Sequence, residues 1–222
     1  MTKLAASLIC SNPINIEKDI DELILGNIDW IHFDVMDGQF VPRHGLYVEV
    51  LTALRKKTNI LVDVHMMVSN PEDYIDIYAK ANADIFCFHI ETTKHASRVI
   101  SKIKNSGMKV GVALNPSTPI SELDWIINDI DMVCLMAINP GIVGSTLIPS
   151  TYEKITCLKQ YAEDNLNTDL IIEIDGGVTF NTAPKLIDYG ADALVCGTGT
   201  IFRPNEDTIS NKIKQLRECI KI

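Results

Sequence analysis

The chain has 222 residues, of which 46% are hydrophobic and 22% charged, and its formal net charge is −9. That length and balance fit one large globular domain, residues 1–222, and exclude disorder and low complexity. No run of Lys and Arg offers a nucleic-acid footprint, so on an acidic surface an anionic ligand has to be held by local dipoles.

The first apolar run is Leu4 to Leu8. With one Lys before it, the apolar stretch Leu4 to Cys10 is too short and too weakly flanked for a secretory signal. No run reaches the ~20 apolar residues of a membrane span, so a cytoplasmic protein without membrane contacts is expected. Next, Ile16, Ile20, Leu23 and Ile24 share one face of a helix that stops at Gly26. Further runs follow at Trp30 to Val35, Ile60 to Val64, Ile85 to His89, Lys109 to Leu114, Met132 to Met136, Leu170 to Ile174 and Ala193 to Cys196. Each is followed by a stretch of helical periodicity, with Asn70-Pro71 starting the third helix as N-cap and first turn, and Gly107, Asn181 and Gly190 punctuating others. The six cysteines (Cys10, Cys87, Cys134, Cys157, Cys196 and Cys219) are widely spaced without a C-x-x-C pair, and read as reduced, mostly buried thiols.

Repeated βα units imply a parallel sheet, which can close into a (β/α)8 TIM barrel or lie open. An open sheet concentrates polar groups at one switch point, whereas a barrel spreads them over many strand ends. Here they fall at the ends of strands one, two, three, six, seven and eight, which favours closure.

Strand alternation places His32, Asp34 and Met36 on one face and Ile31, Phe33 and Val35 on the other. If the apolar set packs on the helices, an imidazole and a carboxylate point into the barrel. The third run repeats this with Asp63, His65 and Met67, and Glu173-Ile174-Asp175-Gly176-Gly177 brings Asp175 to the rim. His32, Asp34, His65 and Asp175 would then form a metal site suited to Zn²⁺, with Fe²⁺, Co²⁺ or Mn²⁺ as alternatives. Asn139-Pro140-Gly141-Ile142-Val143-Gly144, Gly176-Gly177 and Gly197-Thr198-Gly199 are three glycine-bearing strand ends of the kind that bind phosphate through backbone N–H groups.

Several ordered strings give the chain a family likeness. They are Ser7, His32-x-Asp34-x-Met36-Asp37-Gly38-x-Phe40-Val41-Pro42, Asp63-Val64-His65-x-Met67-Val68 and Gly111-Val112-Ala113-Leu114-Asn115-Pro116. They continue with Met136, Asn139-Pro140-Gly141, Ile148-Pro149, Asp175-Gly176-Gly177 and Gly197-Thr198. Nearly end to end, the chain resembles the ribulose-phosphate 3-epimerase family, which includes the allulose-6-phosphate 3-epimerases. The resemblance implies one divalent metal ion held at His32, Asp34, His65 and Asp175, with Asp34 and Asp175 also acting as catalytic acid and base. It implies substrate contacts at Ser7 and His65, and an apolar floor of Met36, Met67 and Met136. It also implies a phosphate end held by residues 141–144, 175–178 and 197–198, including Gly141, Gly144, Gly176, Gly177, Val178, Gly197 and Thr198. His89 and Glu91 are expected as a hydrogen-bonding pair behind the site, and a homo-oligomer is expected in solution.

Two loops depart from the family pattern. After Pro42, where the family usually continues with Asn, this chain reads Arg43-His44-Gly45-Leu46-Tyr47-Val48, and Ile142, Val143 and Ser145 replace the commoner Phe, Gly and Gln. Arg43 either reaches an anionic group or faces solvent, and His44 reads as a surface residue. The leading function is epimerisation between D-ribulose 5-phosphate and D-xylulose 5-phosphate, with a hexulose-phosphate epimerase as runner-up. A decarboxylase or Schiff-base aldolase on the same barrel would want a Lys that no strand end supplies. A non-enzymatic sugar-phosphate-binding protein would gain nothing from keeping both aspartates.

Overall fold

Eight parallel strands form a closed ring in chain order in this computed structural model, which describes residues 2–142, 144–204 and 206–220. They are β1 (Lys3–Ser7), β2 (Trp30–Met36), β3 (Leu61–Met67), β4 (Ile85–His89), β5 (Lys109–Leu114), β6 (Met132–Met136), β7 (Ile171–Asp175) and β8 (Ala193–Cys196). The (β/α)8 barrel is therefore the fold. Strands β2, β3 and β7 run further than their apolar stretches suggest, because the ladder pairs Met36 with Met67 and Met136 with Asp175. Met36, Met67 and Asp175 thus end strands, held by backbone pairing.

Seven α-helices cover the ring among the described residues: α1 (Ile16–Leu25), α2 (Val48–Arg55), α3 (Ile75–Lys80), α4 (Ala96–Asn105), α5 (Ser150–Asp164), α6 (Ala183–Asp188) and α7 (Ile209–Cys219). The outer core lies between them and the outward strand residues, with Ile31, Phe33, Val35, Val62, Val64 and Met66 all buried. Full burial of a side chain such as Phe33 stabilises the fold by about 1.5–3 kcal/mol. On α1, Ile20 and Leu23 are buried, but Ile24 is 37% exposed, since it sits at the edge of the apolar stripe. The left-handed residue that ends α1 is Asn27 (φ 52), one place beyond Gly26.

Two sequence expectations need correction. Between β5 and β6 there is no α-helix, only the 3-10 turns Ile120–Leu123 and Ile127–Asp129. Pro116 and Pro119 interrupt the start of this crossover, and its apolar residues Leu123, Ile126, Ile127 and Ile130 are buried without a continuous helix. After β3, Pro71–Asp73 is a 3-10 turn that precedes α3, and the Asn70 side chain makes no capping hydrogen bond. All six cysteines are free, although only Cys87, Cys134 and Cys196 are buried. No helix among the described residues is long and apolar enough to cross a membrane.

Candidate active site and metal centre

The β2–β3 register sets His32 beside Asp63, and Asp34 beside His65. Paired residues on parallel strands share a face, so these four side chains alternate imidazole and carboxylate in a patch on the inner wall. Glu173 and Asp175, two residues apart on β7, enter from the far side of β1 and β8 by the same alternation. Four groups then converge. His32, Asp34, His65 and Asp175 each offer a ligand atom, all within 4.8 Å of one another.

Hydrogen bonds fix which atoms face the cluster. Asp63 Oδ2 lies 2.8 Å from His32 Nδ1 and, as a carboxylate, can only accept, so Nδ1 carries a proton and Nε2 points at the other ligands. A second relay begins at Glu91, whose Oε2 is 3.2 Å from His89 Nδ1. With that nitrogen as donor, His89 Nε2 accepts from His65 Nε2, 2.9 Å away, which leaves the His65 Nδ1 lone pair turned to the cluster. Each imidazole thus has its outer N–H directed at an acceptor, the arrangement that orients metal-binding histidines. Glu91 is itself held by the Asn115 N–H at 2.8 Å and by the Thr118 hydroxyl. His89 and Glu91 therefore form the pair expected behind the site.

The facing atoms are 3.1 Å apart between His32 Nε2 and His65 Nδ1, and the nitrogen-to-carboxylate distances run from 3.4 Å (His32 to Asp34) to 3.9 Å (His32 to Asp175). Ligand bonds of about 2.0–2.2 Å around a tetrahedral ion imply donor–donor edges of roughly 3.3–3.5 Å, so the spacing fits a small divalent cation. A cluster of two imidazoles and two carboxylates can hold such an ion, and its donor set suits a borderline metal.

Burial and neighbouring charge separate the two aspartates. Asp34 is buried, which raises its pKa, but His32 and His65 outweigh burial and hold it well below the usual carboxylate range. Asp175 is raised instead, by burial and then by the Asp34 charge, with His32 only partly compensating. Burial alone would lower His32, yet Asp34 and Glu173 raise it well above the ordinary histidine value. His89 is pulled down to about 4, chiefly by burial, and is neutral at pH 7.

Above this cluster opens a cavity of about 710 Å³. Of the residues expected at the site, Ser7, Asp34, Met36, Met67, Met136, Gly141, Gly144, Asp175, Gly176, Gly177, Val178, Gly197 and Thr198 line it. Val143 lies outside the described residues. His32 and His65 have no exposed surface and sit beneath Asp34 and Asp175, so His65 does not line the cavity. The Ser7 hydroxyl donates to Asp34 Oδ2 at 2.9 Å, leaving Asp34 Oδ1 for the cluster. Gly176 (φ 97) and Gly177 (φ 64) are left-handed, a conformation that costs most other residues energy. The amides of Gly177, Val178, Gly197 and Gly199 meet no backbone acceptor among the described residues.

Sequence reasoning left three things out: a role for Asp63, whose inward face it did assign, the inward Glu173, and the apolar side of the cavity. Asp63 and Glu173 form a buried layer under His32, with Glu173 Oε2 3.5 Å from His32 Nδ1 and neither Glu173 oxygen hydrogen-bonded among the described residues. Burial and the Asp63 carboxylate push the Glu173 pKa up to about 7. The period of two that placed Asp175 inward also placed Glu173 inward, so the signal was present. The third omission is the apolar side of the cavity, where Ile9, Ile138, Leu147 and Val195 join the methionines.

Comparison with known proteins identifies the family. Residues 3–202 match the family model described as the ribulose-phosphate 3 epimerase family. The ribulose-phosphate 3-epimerase of Bacillus subtilis (strain 168) is 41% identical over 214 residues, covering 96% of this chain and 99% of that protein. The ribulose-phosphate 3-epimerase of Treponema pallidum (strain Nichols) is 38% identical over 195 residues, covering 88% of this chain and 89% of that one. A mutant tryptophan synthase α-subunit from Pyrococcus furiosus superposes with a TM-score of 0.72 at 16% identity, covering 98% of this chain and all of that one, a likeness of fold alone. The family model and these relatives span most of the barrel, and the chain belongs to the ribulose-phosphate 3-epimerase family.

Proposed function

We propose that this carbohydrate isomerase interconverts D-ribulose 5-phosphate and D-xylulose 5-phosphate in the cytoplasm, with Asp34 and Asp175 exchanging the proton at C3. The observation that carries the reading is the meeting of two carboxylates, from β2 and β7, at the floor of a cavity whose rim presents free amides.

Inverting a carbon next to a ketone means removing a weakly acidic proton from one face and supplying one to the other. One base cannot do both quickly. Asp34, ionised and fixed by the Ser7 hydroxyl, is placed to take the proton, and Asp175, the more basic carboxyl, to deliver one from the β7 side. In the reverse direction they exchange roles. The C–H electrons pass into the carbonyl to give a planar enediolate, and reprotonation of the same carbon restores the ketone. A divalent ion bound by His32, Asp34, His65 and Asp175, zinc being our choice, would supply Lewis-acid stabilisation of that negative charge. Met36, Met67 and Met136 are buried around the cavity floor and keep water and stray proton donors from the planar intermediate. The amides of Gly177, Val178, Gly197 and Gly199 would receive the phosphate, together with Gly141, Gly144, Gly176 and Thr198.

The test is an NMR assay in D₂O over a panel of pentulose and hexulose phosphates. Epimerisation of D-ribulose 5-phosphate with deuterium entering at C3 is expected. Turnover confined to hexulose phosphates would move the assignment to the runner-up, D-allulose-6-phosphate 3-epimerisation, which the two departing loops keep in view. No exchange into any ketose phosphate would remove the epimerase reading. Homo-oligomerisation belongs to the same proposal, and its check is molar mass by light scattering.

A further inference from the structure

Arg43 is the one Lys, Arg or His among the described residues that line the cavity, and the only other charged side chains there are Asp34 and Asp175. In a chain with 29 acidic and 20 basic residues, an arginine readily finds a carboxylate. Three of the other four, Arg55, Arg98 and Arg217, do. The Arg43 guanidinium makes no hydrogen bond or ion pair among the described residues, and the loop uses only its backbone, with the Arg43 N–H bonded to the Val41 carbonyl at 2.8 Å.

The loop that carries it is anchored across the mouth of the barrel. Strands β2 and β6 lie four places apart in the ring and so on opposite walls. Yet Val41, only 2% exposed, sits so close to Gly141 of the β6 loop that a Cβ there would lie 2.7 Å from the valine Cβ. Four residues after Val41 the chain returns to β2, where the Gly45 N–H bonds to the Met36 carbonyl and the Leu46 N–H to the Asp34 carbonyl. Arg43 is therefore displayed at the cavity on a loop pinned at both ends. Asp34 and Asp175 are engaged with Ser7, His32 and His65, so the complement left for a half-buried guanidinium unpaired among the described residues is an anionic group on the ligand.

We propose that Arg43 is a specificity-determining residue, pairing with the phosphate group of the substrate from the β2 side while the free amides hold it from the β7 and β8 side. This rests on the sugar-phosphate reading given above. A guanidinium offers a phosphate two parallel N–H donors, a stronger and more directional contact than neutral amides provide. The phosphate is remote from C3, so its pairing is the same in ground and transition states and acts on KM more than on kcat.

The experiment compares R43A, R43K and wild type in their metal-loaded forms, with R98A as a control that removes one positive charge elsewhere on the surface. Steady-state kinetics on a ketose phosphate are run beside calorimetric titration with inorganic phosphate. R43A is expected to raise both KM and the phosphate Kd about tenfold or more while kcat changes less than about threefold, with R43K intermediate and R98A unchanged. KM and phosphate Kd staying within about twofold of wild type in R43A would overturn the proposal, as would a fall in kcat alone. Calorimetry separates the two readings. Arg43-dependent phosphate binding in a wild type inactive on every ketose phosphate would sink the proposed reaction and leave this inference standing. An active wild type whose phosphate binding ignores Arg43 would do the reverse.

Discussion

The lumen of this barrel has two unlike linings, a polar wall shared by β2, β3 and β7 and an apolar wall shared by β5, β6 and β8, with β7 set between β6 and β8 in the ring. Strands β2, β3 and β7 turn His32, Asp34, Asp63, His65, Glu173 and Asp175 inward, whereas β5, β6 and β8 turn Ala113, Met132, Cys134, Met136, Ala193 and Val195 into the same space. Both walls are nearly dry, so the difference is chemical. On the polar wall most groups are tied to another by hydrogen bonds, as burial of polar atoms requires. The apolar wall holds no ionisable partner except thiols that stay protonated, Cys134 being raised well above its ordinary pKa by Cys87 and then by burial. An apolar surface facing a charged one keeps the local dielectric low, which makes each charge on the other wall count for more. The contrast teaches that the site is a property of the whole lumen, with reactivity on one side and the conditions for it on the other.

The most direct way to break this division is to neutralise a carboxylate on the polar wall. Asp34→Asn or Asp175→Asn should lower kcat by about a thousandfold or more in the NMR exchange assay, the scale on which general acid–base groups act. Substantial activity in either variant would undo the two-carboxylate mechanism. One layer out, His32→Ala should leave the protein without bound metal after dialysis, and Asp63→Ala, which removes the acceptor for His32 Nδ1, should weaken metal affinity by about 10- to 100-fold. Metal content and a chelator competition titration measure both. Unchanged affinity in Asp63→Ala would show that His32 needs no orienting partner.

A subtler probe is Glu173, deepest on the polar wall. Its pKa is raised from 4.5 to about 7, so between those values the folded protein holds a proton that the unfolded chain has released. The unfolded state then binds fewer protons, and stability falls as pH rises through this window. Glu173→Gln removes that loss. In chelator-dialysed protein its unfolding free-energy advantage over wild type, from denaturant titration, should grow between about pH 4.5 and 7, reaching the order of 1–3 kcal/mol. A difference that stays flat across that range would show that Glu173 is ionised throughout. The smallest effect on catalysis is expected on the apolar wall. Met132→Ala, at a fully buried position, should cost about 2–5 kcal/mol of stability by denaturant titration while kcat at 25 °C stays within about threefold.

Much of the site could be read from the chain because strands encode their faces locally. His32-x-Asp34-x-Met36 and Asp63-x-His65-x-Met67 declare three side chains on one side wherever the strand lies, and the outward burial of Ile31, Phe33 and Val35 matches the expectation that the apolar set packs on the helices. Glu173 obeyed the same rule and was passed over, since an acidic residue one layer below the rim has no meaning until its neighbours are known. Ile24 and the helix expected after β5 show the opposite failing. Apolar spacing marked a buried face, but the packing partners set its width in α1, and prolines let the fifth crossover bury its isoleucines in 3-10 turns.

By itself, then, the order of residues determined the eight strands, the inward set on each and the glycine-bearing ends, because these follow from the geometry of short segments. Tertiary structure alone decided that the ring closes, that Asp63 turns His32 and His89 turns His65, and that the β2 loop lies against the β6 loop to hold Arg43 at the cavity. Those facts join residues from about 24 to 190 positions apart, and no local periodicity specifies contacts that form only when hydrogen-bonded registers and side-chain packing bring distant strands together.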